Sequence, residues 1–327
     1  MNRRRTRGSA PIPAANVADT ALFRRWSLTL VVSDEDATIG TASDAAPLPA
    51  ETSVGRAALR VDDLDRVVPF YRDAIGCQVD RDGARVRLSS SDGRVLVELE
   101  AVPDAPPRPR SAAGLFHVAI RLPDRASLAD ALERLRDTGA PLDGASDHLV
   151  SEALYLQDPA GNGLELYHDR PRDEWPHRDD GSVEMDTLPL DLADLSAAGD
   201  GAAADALPAG TDVGHVHLES SDLAASAAFY AGALGLGQST QDYSQAHFLA
   251  AGDYHHHVAF NRWNGRTETI GDHQGLRWFE LVLPDAASRT AAVDRLERAG
   301  FAVDERDGVP EATDPDCIGV RLLVADS

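Results

Sequence analysis

The chain of 327 residues carries 31 Lys and Arg against 54 Asp and Glu, a formal net charge of −23. That balance argues against a nucleic-acid partner, because phosphate would be repelled, and no apolar run approaches the length of a membrane span. The length suits two ordinary domains, and acidity spread along the whole chain suits solubility at high salt, where self-repulsion is screened.

Residues 1–50 are rich in Ala, Pro, Ser, Thr and Asp and read as a largely disordered extension. The basic start, MNRRRTRGSAP, is followed by no long apolar segment, so a signal peptide is not expected and the cytoplasm is the expected compartment. Cys77 and Cys317 form neither a disulfide framework nor a metal-ligand spacing and read as reduced thiols.

A pattern that begins at Val54 returns later. VGRAALRVDDLDRVVPFYRDAIGCQV matches VGHVHLESSDLAASAAFYAGALGLGQ, so that Asp63, Phe70, Tyr71 and Gly76 recur as Asp222, Phe229, Tyr230 and Gly235. GLFHVAIRLPDRASLADALERLRDTGAPLD likewise matches GLRWFELVLPDAASRTAAVDRLERAGFAVD. The chain is therefore a duplicated half, and each half holds two related modules. Each module runs in the same order: a short alternating strand, a helix with Asp or Ser near its start and Gly past its end, then strands separated by Gly- and Asp-containing turns. The expected fold class is α+β, with four βαβββ modules pairing into open curved sheets and helices outside. The halves span 51–168 and 213–327, and an acidic linker, 169–212, joins them.

The stretch DHLVSEALYLQDPAGNGLELY, Asp147–Tyr167, predicts a hairpin turning through Asp-Pro-Ala-Gly-Asn-Gly. It places Tyr155 and Glu165 on adjacent strands with His148 just before them. Such a trio is a catalytic half-site or an ordinary surface hairpin.

Four βαβββ modules, each opening on a strand with a polar residue a few places in, resemble the vicinal oxygen chelate superfamily over Val54 to the C-terminus. The resemblance implies cups that hold a divalent metal through the first and last strands of paired modules. The first-strand position is Arg56, His117, His215 and Trp278 in turn, and the last-strand position is Glu165 in the second module and Arg321 in the fourth. Arginine cannot ligate a cation. Metal-competent residues therefore collect in the middle modules, with His117, Glu165 and His215 as expected ligands. Two imidazoles and a carboxylate form a facial triad suited to Fe(II), with Mn(II) also acceptable. On GHVHL, His215 and His217 share a face, and spacing to Asp222 favours His215. Of the run His255, His256, His257, alternation puts His256 on the opposite face from the other two. Glu280 and the tryptophans Trp175, Trp263 and Trp278 read as packing residues.

GASDHLVSEALYLQDPAGNG and YHHHVAFN look specifically like the bacterial catechol-2,3-dioxygenase branch. That likeness implies an extradiol dioxygenase acting on a catechol-type molecule and O₂, possible homo-oligomers, and catalytic roles for His256, Tyr155 and His148. His257 stays open beside His256. The alternatives are a non-redox glyoxalase-like lyase or isomerase, which uses a second carboxylate at the metal, and a metal-free binding protein, which needs only an apolar cup.

Overall fold

The computed structural model describes residues 47–199, 205–240 and 243–325. The expected extension at 1–50 therefore lies almost wholly outside the described residues.

The βαβββ order is present four times. The first module comprises β1 (Ser53–Val61), α1 (Leu64–Phe70, continued by a wide turn to Ile75), β2 (Gln78–Asp82), β3 (Arg85–Ser89) and β4 (Val95–Ala101). The second comprises β5 (Gly114–Arg121), α2 (Arg125–Thr138), β6 (Gly144–Asp147), β7 (Ser151–Gln157) and β8 (Gly163–Asp169). The connecting segment adds a two-residue strand, β9 (Leu188–Pro189), and a short helix, α3 (Leu192–Ser196). The third module holds β10 (Asp212–Glu219), α4 (Leu223–Ala227), β11 (Gly237–Thr240), β12 (Ala246–Ala250) and β13 (Val258–Asn261). The fourth holds β14 (Gly275–Leu283), α5 (Ala286–Arg298), β15 (Val303–Arg306), β16 (Val309–Thr313) and β17 (Gly319–Val324).

Local chemistry explains why each repeat starts its helix at the same place. Asp63, Asp124, Asp222 and Asp285 each sit in extended backbone and accept backbone N–H groups of the first helical turn. This satisfies donors that have no partner inside the helix. Gly139 stops α2 in the left-handed region, at φ 69°, where a side chain would be strained.

The modules pair across the duplication. One sheet has the order β15-β16-β17-β14-β1-β4-β3-β2 and so joins the fourth module to the first; the other has the order β11-β12-β13-β10-β5-β8-β7-β6-β9 and joins the third to the second. At each centre the two opening strands run antiparallel, β1 against β14 and β5 against β10. Each sequence half is tied together differently. The Tyr71 hydroxyl donates to Asp158 at 3.1 Å, and its repeat, Tyr230, donates to Asp314 at 2.8 Å. All four side chains are buried. The FY motif of one module thus reaches the DP turn of the next, locking the two sheets together.

This predicts a stability cost for deleting either hydroxyl. Tyr230→Phe leaves a buried carboxylate oxygen short of a donor and should lower the unfolding free energy by about 1–3 kcal/mol. Urea denaturation reads it, and an unchanged midpoint would show that the bond contributes nothing. The linker stretch is not a bare tether, since Trp175, Val183 and Met185 pack with Val150, Ala250 and Tyr254 in a small separate core. Among the described residues no helix is long and apolar enough to cross a membrane.

Candidate metal centre

Strand register brings the expected residues into one row. His215 on β10 lies opposite Ala119 on β5, Ala119 lies beside Glu165 on β8, and Glu165 lies opposite Tyr155 on β7. Residues level with one another on neighbouring strands share a face. Ala119 offers only a methyl group in this row, so the side chains of His215 and Glu165 meet above it. His117 is two residues along β5 from Ala119 and joins them from the same face.

Three donor atoms converge there. Glu165 Oε2 is 2.9 Å from His117 Nε2 and 3.1 Å from His215 Nε2, and the two nitrogens are 3.4 Å apart. All three side chains are buried. Neighbouring ligands on a six-coordinate first-row metal with bonds of about 2.1 Å are separated by about 3 Å, so this triangle has the size of a facial ligand set. Burial opposes ionisation of Glu165, but the imidazoles of His215 and His117 prevail and hold its carboxyl well below the ordinary value. Burial likewise brings His215 down to about 4, against the pull of Glu165. One carboxylate with unprotonated imidazole nitrogen is the protonation state that a metal requires. Gly214, next to His215, has no room for a side chain: an added Cβ would fall 1.7 Å from the Tyr167 hydroxyl. The Tyr167 side chain of β8 thus reaches past the intervening β5 to the backbone of β10 at Gly214.

His217 lies across from His117 in the β10–β5 register, and its Nε2 accepts from the Asn261 amide at 2.9 Å. It is ringed by Phe116, Phe248 and Trp263, with ring centroids 4.8–5.6 Å away. The aromatic cluster forms a wall beside the triangle. Trp263 thus stands near the site, whereas Trp175 packs on Tyr254 and His255.

On the other flank, His148 Nδ1 donates to the Asp186 carbonyl at 2.7 Å. The same ring therefore presents Nε2 as an acceptor, and the Tyr155 hydroxyl, 2.7 Å away, donates to it. Burial, with the Glu165 charge adding to it, raises the Tyr155 pKa well above the usual phenol value, and burial lowers that of His148.

The histidine run departs from the expected alternation. β13 begins at Val258; the His257 backbone still bonds to Leu249 and Val216 on the flanking strands, while His255 and His256 precede the ladder and depart from its alternation. His255 and His256 turn toward the same side, their Nδ1 atoms 2.7 Å apart. The His256 ring is 4.1 Å from that of His215. His257 turns away, accepting the Ala251 backbone N–H at 3.2 Å and packing on Tyr254. Burial and the surrounding imidazoles push His256 well below the usual histidine value. His215, His255 and His256 also form a second group with ligand atoms within 4.8 Å of one another. Sequence reasoning missed His255 and its partner Asp169, which ends β8. The available signal was the spacing of Asp169 from Glu165 on one strand, with an even number of steps between them.

The corresponding positions of the other sheet hold a different arrangement. Arg56 pairs with Glu280 at 2.8 Å, Arg321 pairs with Glu311 at 2.7 Å, and the Arg321 guanidinium lies 3.9 Å over the Trp278 ring. Cations of the protein itself occupy the place, and Glu280 is consumed by Arg56. Accordingly, Trp278→Ala and Arg321→Ala should lower stability yet leave the metal content per chain unchanged. A metal located beside Trp278 by anomalous scattering would refute this.

The family model described as Glyoxalase/Bleomycin resistance protein/Dioxygenase superfamily matches residues 53–166 and 212–312. A catechol-2,3-dioxygenase of Bacillus subtilis (strain 168) is 39% identical over 271 residues, spanning 81% of this chain and 94% of that protein. Biphenyl-2,3-diol 1,2-dioxygenase 3 of Rhodococcus globerulus is 29% identical over 152 residues, spanning 43% of this chain and 80% of that protein. Among solved structures, a variant of glyoxalase I from Zea mays superposes with a TM-score of 0.52 at 18% identity, over 84% of this chain and 94% of the other, a likeness of fold alone.

Proposed function

The chain belongs to the glyoxalase/bleomycin resistance protein/dioxygenase superfamily, and from that premise we propose that it is an extradiol dioxygenase. Its substrate is a catechol-type molecule, its co-substrate O₂, and its metal a mononuclear Fe(II) held by His117, Glu165 and His215. The observation that carries this reading is the buried triangle of two imidazole nitrogens and one carboxylate oxygen with His256 on one flank and Tyr155 on the other.

When bound, Fe(II) supplies Lewis acidity toward the substrate oxygens and one-electron chemistry toward O₂. The residues of the chain have separate tasks. His256, neutral and buried, takes the proton of a substrate hydroxyl and returns it later as a general acid. Tyr155 gives its own hydrogen to His148, so its oxygen is free to accept from a second hydroxyl and orient it. A proton arriving at Tyr155 can be matched by one leaving toward His148 Nε2. The apolar wall of Phe116, Phe248 and Trp263 beside His217 suits a flat ring and excludes water from the reacting carbons. Opening beside the diol yields a hydroxymuconic semialdehyde that carries both atoms of O₂.

A glyoxalase-like reaction calls for a further carboxylate at the metal. The side chain on the open flank is His256, and the carboxylate behind it, Asp169, is engaged with His255, Arg121 and Tyr254. Anaerobic loading with Fe(II), followed by catechol and air, should consume O₂ and produce a yellow ring-opened product. Oxygen levels that stay flat across a panel of catechols would overturn the dioxygenase reading.

A further inference from the structure

A chain of hydrogen bonds runs from His256 away from the metal triangle. His255 Nε2 donates to Asp169 Oδ1 at 3.0 Å. The other oxygen, Oδ2, is held by Arg121 Nη1 and by the Tyr254 hydroxyl, each at 3.0 Å. Arg121 is itself clamped by Asp212 at 2.7 Å, and the Tyr254 hydroxyl accepts from Tyr167 at 2.8 Å. His255 is 1% exposed and sandwiched against the rings of Tyr254 and Trp175. Every polar atom along this path is committed in one direction.

We propose that Asp169 and His255 are positioning residues that set which nitrogen of His256 carries hydrogen, presenting its Nε2 lone pair as the base. This rests on the reading of His256 as the acid–base group. The argument is one of hydrogen counting. Asp169 is an acceptor only, so His255 spends its hydrogen on Nε2. A neutral His255 then has a bare Nδ1, which lies 2.7 Å from His256 Nδ1. Two bare nitrogens, or two N–H groups, do not sit at that distance. His256 therefore keeps its hydrogen on Nδ1 and its lone pair on Nε2. When Nε2 gains a proton, the charge is stabilised through His255 by the Asp169 carboxylate, as a buried aspartate supports the base of a serine protease triad.

Asp169→Asn reverses the chain. Arg121 and Tyr254 both demand an acceptor, so the amide oxygen goes to them and the NH₂ faces His255 Nε2. His255 must then carry hydrogen on Nδ1 and donate to His256, whose remaining hydrogen moves to Nε2. The base is lost with little change in shape.

The test uses the full chain labelled with ¹⁵N-histidine, free of metal and substrate, and assigned by His→Gln variants. Wild type should show His256 as the Nδ1–H form, and Asp169→Asn should show it as the Nε2–H form with His117 unmoved. In Fe(II)-loaded protein, Asp169→Asn should keep metal content and catechol affinity while kcat falls by on the order of 10²–10⁴. His255→Gln can accept from His256 and donate to Asp169, so it should exceed His255→Phe in kcat by about tenfold or more, the worth of one positioned hydrogen bond. The proposal is overturned if wild-type His256 carries its hydrogen on Nε2, if His255 is doubly protonated, or if His255→Gln and His255→Phe are equally impaired. The tautomer measurement needs neither iron nor catechol, so it decides the proposal even where the dioxygenase reading fails.

Discussion

Glu165→Ala should yield a folded protein that no longer holds its metal. Glu165 is the only carboxylate in the triangle, and its single oxygen lies within about one hydrogen-bond length of both imidazole nitrogens. Removing it takes away the anionic donor and leaves two neutral imidazoles, which bind a divalent cation weakly. Changes one shell further out typically cost about 10–100-fold in affinity, so loss of a direct ligand should exceed that range. Fold stability should change much less, because the side chain is on a strand whose ladder with β5 and β7 is unaffected. Metal content after anaerobic Fe(II) loading reads the first effect and a thermal melt of the metal-free protein the second. The wild-type melt should rise on metal addition, since a ligand that binds only the native state stabilises it, and the variant melt should not. One metal per chain in Glu165→Ala would remove the basis for the triangle as the binding site. Attention would then pass to the second imidazole group at His215, His255 and His256.

His256→Ala should retain the metal and still bind catechol, while kcat falls by on the order of 10²–10⁴, the usual loss for one positioned acid–base group. Its ring packs at a tilt against His215 but its Nδ1 is engaged by His255, so it has one nitrogen left for substrate chemistry. Tyr155→Phe should lower kcat by a smaller factor, roughly 10–100-fold, because the hydroxyl orients and His148 remains. His257→Ala is the control, since that ring is tied to the Ala251 backbone and faces Tyr254. If His256→Ala loses iron, the residue is a ligand and the triangle has been misread. If His257→Ala is the inactive variant and His256→Ala is normal, the roles of the two histidines are exchanged.

Much of this architecture was legible in the linear sequence. Module boundaries follow from a repeat that preserves the helix-capping Asp and the Gly beyond the helix, which act on near neighbours, and the FY pair, whose Tyr reaches the next module. The absence of histidine from Arg56, Trp278 and Arg321 already separated the two cups, because equivalent positions of a repeat can be compared directly. The ten-residue step from Tyr155 to Glu165 fixes their pairing once a turn sits between them, and the two do lie opposite each other.

Beyond the expected grouping of His117, Glu165 and His215, relations between distant parts of the chain needed the tertiary structure. Nothing periodic says that the first module pairs with the fourth rather than the second; the antiparallel ladder between β1 and β14 joins them side by side in one sheet, across more than two hundred residues. His215 and His217 share a face, and only the β5 and β8 registers put one of them level with Glu165 and the other beside Asn261. The three consecutive histidines were read by strand alternation, which separates His256 from His257 as observed but not His255 from His256, because those two stand before the β13 ladder. Asp169 looked like the first residue of an acidic linker. It is the last residue of the strand that carries Glu165, and it became part of the site because a carboxylate there meets Arg121 from β5 and the neighbours Tyr254 and His255 from the segment before β13. Local patterns record what a residue does to its own turn or strand, whereas hydrogen-bond partners and ring directions are settled by which strands lie side by side.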